Sequence, residues 1–216
     1  MKEIKVIIRK VNRDYINSNY DLLFASLYTE RKEAVRKLKR DEPKLVSITA
    51  GRLLQDVVSR ELGITAEELT LSKGPNGKPY LESAPEFKFN ISHSGEYVAL
   101  AYGAVEVGVD IEQIKKENTR VAKRCFTEKE NKYIAGDDKR FTLLWTMKES
   151  YLKLTGRGIS VPLNSFEVDV ENKVLQGETY NYNTFELDDY VLSVCAEGEY
   201  KVTVIREDEW VSCLVT

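Results

Sequence analysis

Two carboxylates interrupt an otherwise apolar, β-branched run, Val107-Gly108-Val109-Asp110-Ile111-Glu112. Side chains on a strand alternate faces, so Asp110 and Glu112 leave from one side and Val109 and Ile111 from the other. Like charges side by side call for a cation. Hard oxygen donors suit Mg²⁺, which keeps several waters and takes only one or two protein carboxylates, the rest coming from substrate phosphate. Taken alone, the six residues also fit a strand end with two solvated acids. A second polar pair lies further along. At about 100° per residue, Phe141, Leu144, Trp145 and Leu152 share one helical stripe, and Lys148 and Glu149 fall inside it. An ion pair within an apolar face is costly unless something uses it. Glu149 is therefore expected as a third carboxylate and Lys148 as a positive partner for phosphate, with Lys153 one turn later near the same edge.

The single histidine, His93, stands at a strand end between Ser92 and Ser94 and before Gly95. A lone histidine often serves structure, but imidazole beside hydroxyls suits an anionic oxygen. The stretch Lys73-Gly74-Pro75-Asn76-Gly77-Lys78-Pro79-Tyr80 is a turn built on the Asn-Gly pair. Its backbone N–H groups and Lys78 fit a phosphate grip, or a bare hairpin connection. Arg31, Lys32, Arg36, Lys37, Lys39 and Arg40 make a basic run that reads as a solvated helix face or a phosphate holder.

The elements that must position these groups follow from periodicity. A strand is expected over Ile4 to Ile8, a helix from about Ser18 to Arg40, and a second from Pro43 to Leu62, stopped by Gly63. A short acidic helix is expected near Thr65 to Leu69, then strands over Phe87 to Ser92 and Tyr97 to Tyr102 on either side of His93. After Glu112 comes a charged loop and a short helix. Thr127-Glu128-Lys129-Glu130 has the capping-box pattern, and a longer helix runs from about Lys139 to Leu154, ending at Gly156-Arg157-Gly158. The remainder reads as strands: Ser165 to Val170, Glu186 to Leu187, Tyr190 to Cys195 and Tyr200 to Ile205. Tyr190 to Ala196 faintly echoes Tyr97 to Tyr102, a hint of two similar halves.

The 216 residues suffice for one large domain or two small ones, and the 42% hydrophobic and 31% charged fractions are those of a soluble protein. A net charge of −3 argues against a nucleic-acid binder held by a general positive field. No apolar stretch is long enough for a bilayer and no signal segment opens the chain, so a cytoplasmic protein without a membrane partner is expected. Cys125, Cys195 and Cys213 are odd in number and lack a CxxC pair, which fits small buried or half-buried thiols.

Taken in order, Gly77-Lys78-Pro79, Phe89-Asn90-Ile91-Ser92-His93-Ser94-Gly95, Gly108-Val109-Asp110-Ile111-Glu112, Phe126-Thr127-Glu128-Lys129-Glu130 and Trp145-Thr146-Met147-Lys148-Glu149-Ser150-Tyr151-Leu152-Lys153 resemble the 4′-phosphopantetheinyl transferases. The spacing resembles the longer, monomeric surfactin-type class. That resemblance implies an α+β fold, a two-lobed pseudo-dimer of similar α/β halves (residues 1–103 and 104–216), with the active site in the cleft between them. It implies Mg²⁺ on Asp110, Glu112 and Glu149, and coenzyme A contacts from Lys78, Ser92 and His93. Lys148 and Lys153 would lie near the phosphates, and Arg31 and Arg36 would hold the 3′-phosphate. The implied reaction moves the phosphopantetheine arm of coenzyme A onto a serine of an apo acyl or peptidyl carrier protein and releases adenosine 3′,5′-bisphosphate. Glu149 is the expected base, and the carrier is expected to dock on Lys115, Arg120, Val121, Lys123 and Arg124. A phosphodiesterase using water, or a module that only binds, would fit parts of the same pattern.

Overall fold

The computed structural model describes residues 2–116 and 119–207. Ile4, Val6, Ile7 and Ile8 are apolar on both faces because their strand, β1 (Lys2–Lys10), lies inside a sheet and is covered from both sides. Its neighbours are β5 (Tyr97–Gly103), antiparallel, and β11 (Tyr200–Glu207), parallel; β4 (Lys88–Ser94) completes the order β11-β1-β5-β4. One face of this sheet, with Ile7, Val98, Leu100 and Tyr102, packs on the long helix α4 (Asp41–Leu62). The other face, with Ile4, Val6, Ile8, Ala99 and Ala101, meets Val107, Val109, Ile111, Leu192 and Val194 of a second sheet.

That second sheet has the order β6-β10-β9-β8-β7, with β6 (Val107–Gln113), β7 (Val168–Asp169), β8 (Val174–Leu175), β9 (Tyr180–Leu187) and β10 (Tyr190–Glu197). Cys195 and Tyr182 on its far face pack with Leu144, Met147 and Leu152 of α7 (Asp138–Thr155). The core is thus layered helix, sheet, sheet, helix, which is an α+β arrangement. Around it lie α1 (Arg13–Ser18), α2 (Tyr20–Ala25), α3 (Thr29–Lys37), the hairpin β2 (Leu71–Lys73) and β3 (Pro79–Leu81), and the helices α5 (Thr119–Cys125) and α6 (Glu128–Ile134).

Several expectations need correction. The helical pattern over 18–40 is broken into pieces, because Leu27 and Tyr28 are buried against α4 and the extended Tyr28 sends its N–H to Gln55 Oε1 at 3.2 Å. Helix α4 begins at Asp41, two residues before Pro43, and ends at Gly63 with φ of 71°. Thr65 to Leu69 forms a turn: Glu68 Oε2 takes both the Thr65 N–H and hydroxyl, a local closure that competes with a helix. Of the strand expected over Ser165 to Val170 only Val168–Asp169 forms, whereas β9 starts earlier, at Tyr180. Strand β11, from the C-terminal end of the described chain, returns to pair with β1 in the first sheet. Cys195 is buried and Cys125 half-buried; Cys213 lies outside the described residues.

Candidate functional site

The site lies where the two sheets meet edge to edge. Strands β4 and β6 belong to different sheets and share no backbone ladder among the described residues. Alternate side chains of β4 take the place of one: Asn90 Oδ1 accepts Val109 N–H at 2.9 Å, Ser92 Oγ accepts Ile111 N–H at 3.3 Å and Ser94 Oγ accepts Gln113 N–H at 3.2 Å. The period of two puts all three on one face, and the spacing of the acceptors matches that of the donors. The same hydroxyls orient the carboxylates. Ser92 donates to Asp110 Oδ1 at 2.8 Å and Ser94 to Glu112 Oε2 at 2.6 Å. The sequence signal for Asn90 and Ser94 is the alternation that sets Asn90, Ser92 and Ser94 on one face of the strand and Phe89, Ile91 and His93 on the other.

Helix α7 closes the other wall. Gly108 lies so close to it that an added Cβ would collide with Ser150 O and come within 2.5 Å of Leu154 N. This approach sets Glu149 and Lys153 opposite the face carrying Asp110 and Glu112. Lys153 Nζ donates to Asp110 Oδ1 at 2.6 Å and to Ser92 Oγ at 2.7 Å. Asp110 is 3% exposed, and its Oδ2 has no hydrogen-bond partner among the described residues. Burial pushes its carboxyl up to about 6 against the pull of Lys153 and Ser92. Burial also raises Glu149, opposed by Lys153 and reinforced by the charge of Glu112.

An anionic oxygen buried without a donor is a place for a cation. Carboxylates from two walls of one seam supply the hard oxygen donors that a divalent ion prefers. Among the described residues no three His, Cys, Asp or Glu side chains stand close enough together to hold a metal as they are placed. Asp110 and Glu112 share a face of β6, and Glu149 of α7 is near enough for the charges of Glu112 and Lys153 to act on its carboxyl.

His93 ends the site towards α3. Its side chain is exposed at the surface, and its imidazole is held below the usual histidine range by partial loss of water and by the charges of Lys153 and Arg31, with Glu112 opposing. A neutral ring that donates one N–H is therefore the resting form. Arg31 crosses from α3, its Nε donating to Tyr28 Oη at 3.1 Å and Nη1 reaching Ser47 Oγ at 3.4 Å. Arg36 is exposed and lies over the Phe24 ring at 5.3 Å, five residues beyond Arg31.

Two expected phosphate partners are turned elsewhere. Lys148 is 0% exposed: its ammonium donates to Leu163 O and Phe166 O, both at 2.7 Å, and pairs with Glu130 Oε2 at 2.7 Å. Three donors meet three acceptors, so nothing is left for a phosphate. One residue along a helix is a turn of about 100°, which separates Lys148 from Glu149. Lys78 bonds Glu106 Oε2 at 2.8 Å, Val107 O at 2.9 Å and Leu154 O at 3.0 Å, tying the β2–β3 hairpin to the end of α7. The turn's Gly74 and Gly77 N–H groups bond within the turn, to Lys78 O and Gly74 O. A cavity of about 780 Å³ beside Lys78, Tyr80, Phe89 and Leu154 includes none of the three carboxylates.

A model described as the 4′-phosphopantetheinyl transferase superfamily matches residues 106–205, the span of both β6 and α7, and one described as 4′-phosphopantetheinyl transferase, N-terminal, matches residues 14–104. 4′-Phosphopantetheinyl transferase Sfp of Bacillus subtilis (strain 168) is 33% identical over 181 residues, which is 77% of this chain and 80% of that protein. The chain belongs to the 4′-phosphopantetheinyl transferase superfamily. It is also similar to 4′-phosphopantetheinyl transferase ffp of Bacillus subtilis, 30% identical over 86% of this chain and 89% of that protein. 4′-Phosphopantetheinyl transferase gsp of Aneurinibacillus migulanus is 31% identical over 77% of this chain and 71% of that protein. As a 4′-phosphopantetheinyl transferase, the chain has its carboxylates, Lys153 and His93 gathered around one seam.

Proposed function

We propose that this transferase moves the 4′-phosphopantetheine arm of coenzyme A onto a serine of an apo acyl or peptidyl carrier protein, using Mg²⁺ and releasing adenosine 3′,5′-bisphosphate. The observation that carries the reading is Asp110 Oδ2, buried and without a donor, at a seam that also presents Glu112 and Glu149. Asp110, Glu112 and Glu149 would hold the ion, which when bound offsets charge on the pyrophosphate oxygens. The serine oxygen attacks the phosphorus next to the pantetheine arm, and the bond to the adenosine bisphosphate breaks.

The chain's own residues supply the rest. Lys153 offers fixed positive charge to the phosphates, and His93 donates a neutral N–H beside Arg31, which meets the 3′-phosphate. Ser92 holds Asp110 and Lys153 in register, acting behind the reacting groups. Glu149, made more basic by burial, accepts the serine proton. The layered sheets, each backed by its own long helix, support two similar halves with coenzyme A in the cleft.

The carrier is acidic in this reading and docks on the basic surface after β6. Lys115, Arg120, Lys123 and Arg124 are exposed there, Val121 is half-buried, and Ala122 packs inward. Reversing Lys123 and Arg124 to glutamate should raise the KM for carrier about tenfold, the equivalent of roughly 1.4 kcal/mol, and spare that for coenzyme A. The reading includes a cytoplasmic monomer; among the described residues no helix is long and apolar enough to cross a membrane.

The deciding experiment is the intact mass of an apo carrier after incubation with the protein, coenzyme A and Mg²⁺, with and without chelator. A metal-dependent gain of one phosphopantetheine arm is expected. Coenzyme A cleaved without transfer would mean hydrolysis, and coenzyme A bound but unchanged would mean a binding module.

A further inference from the structure

Lys148 is a charge placed where charge is costly. Its side chain is fully buried and its ammonium lies over the Phe166 ring at 4.6 Å and near the Phe126 ring at 5.7 Å. Burying an ion pair gives no clear gain over apolar residues of the same size, so stability alone does not account for it. What the pair does give is a fixed geometry. Glu130 is itself fully engaged: Oε2 accepts Thr127 N–H at 2.8 Å, closing the capping box of α6, and Oε1 accepts Val168 N–H at 3.0 Å at the start of β7. Lys148 adds the carbonyls of Leu163 and Phe166. One ammonium therefore locks the middle of α7 to the first turn of α6 and to the 163–168 segment, three stretches that sequence separates.

The next residue is Glu149. With Lys148 anchored on the core side, the rotation of α7 about its axis is set, and with it the direction in which Glu149 and Lys153 leave towards Asp110. A helix free to turn by a fraction of its 100° step would move both groups by about an ångström or more, enough to cost about 100-fold in rate. The first turn of α6 follows α5 after Phe126 and Thr127, and its Asn131 Nδ2 donates to Ala122 O of α5 at 3.3 Å, so the same lock ties the basic surface to Glu149.

We infer that Lys148 is a positioning residue of this transferase: through Glu130, Leu163 O and Phe166 O it fixes the rotation of α7, and so the reach of Glu149, without touching substrate. The inference rests on the proposed reading that Glu149 acts at the phosphate. It assigns to Lys148 a role in kcat and none in holding coenzyme A, for which the proposed contacts are Arg31 of α3 and the His93 N–H of β4, with Lys153 acting on kcat.

The test compares wild type, Lys148→Met and the double variant Glu130→Gln/Lys148→Met, which removes both charges and leaves an acceptor for the α6 cap. Each is measured for urea midpoint, for kcat and KM with an apo carrier, and for coenzyme A binding by calorimetry. The single variant should unfold at lower urea, and the double variant should regain much of that loss. In both, kcat should stay about 100-fold down with coenzyme A affinity within about twofold of wild type. If kcat recovers in step with the urea midpoint, Lys148 serves stability alone and the inference is overturned. Weakened coenzyme A binding would overturn it in favour of direct phosphate contact. Should Lys148→Met not fold, the double variant alone decides between the same outcomes. Failure of wild type to modify any carrier would instead sink the underlying functional reading, and this inference with it.

Discussion

Lys153 Nζ lies 2.6 Å from Asp110 Oδ1, so the end of α7 and the middle of β6 are joined by a charged hydrogen bond inside the seam. Asp110 is nearly fully buried, while the Lys153 side chain is 29% exposed, so the lysine can also present charge outward to a phosphate. Lys153→Met should therefore do two things. It should lower kcat by about 100-fold, the usual loss when one preorganised donor is removed. It should also push the Asp110 carboxyl further up, because an opposing charge is gone. Steady-state kinetics at saturating Mg²⁺, beside a carboxyl ¹³C titration, reads both; an unchanged kcat would remove Lys153 from the reaction.

Gly108 should not accept even a methyl group. The atoms an alanine Cβ would meet, Ser150 O and Leu154 N, are helical backbone and have no side-chain freedom with which to yield. Overpacking of this kind costs about 1–3 kcal/mol. Gly108→Ala should shift the urea midpoint down and, by moving α7 away from β6, lower kcat more than it raises either KM.

Asp110 sets a pH window. Its carboxyl is raised from 3.8 to about 6, so between those values the native state holds a proton that the unfolded chain has released. The native contribution of this group is therefore greatest at low pH and declines as pH rises from about 4 through about 6 in metal-free protein. A cation must displace the same proton. Mn²⁺ or Mg²⁺ affinity should fall below about pH 6, and calorimetry in two buffers of different ionisation heat should show proton release on binding at pH 6. Asp110→Asn should abolish both effects. Proton release unchanged in that variant would assign the proton elsewhere.

Gly51 makes room for Arg31. An added Cβ would come within 2.6 Å of Arg31 Cγ and 2.9 Å of Leu27 Cδ2, so Gly51→Ala must shift the arginine. If Arg31 meets the 3′-phosphate, the variant should raise the KM for coenzyme A about tenfold, which is roughly 1.4 kcal/mol. The KM for 3′-dephospho-coenzyme A should not move. An equal rise for both would show that the change acts through the fold of α3 and not through the phosphate.

What the sequence determined by itself is what local geometry governs. The two-residue period of a strand was enough to put Asp110 and Glu112 on one face and Val109 and Ile111 on the other, because that alternation is a property of the backbone. Thr127 and Glu130 were legible as a capping box, and Gly63 as the stop of α4, for the same reason. The ordered segments from Lys78 to Lys153 were enough for the family. Tertiary structure decided which partner each polar group keeps. Lys148 and Glu149 are neighbours in the chain, yet one is fixed in the core by Glu130 and the other faces the seam, because a helix turns its successive residues apart. Lys78 reads as a phosphate grip until the carbonyls of Val107 and Leu154 arrive from 29 and 76 residues away and consume its donors. The ladder of Asn90, Ser92 and Ser94 exists only because two sheets bring unpaired edges together. Hydrogen-bonding capacity is written in the residue type, but the choice among acceptors is made by whatever distant backbone the packing of the core delivers.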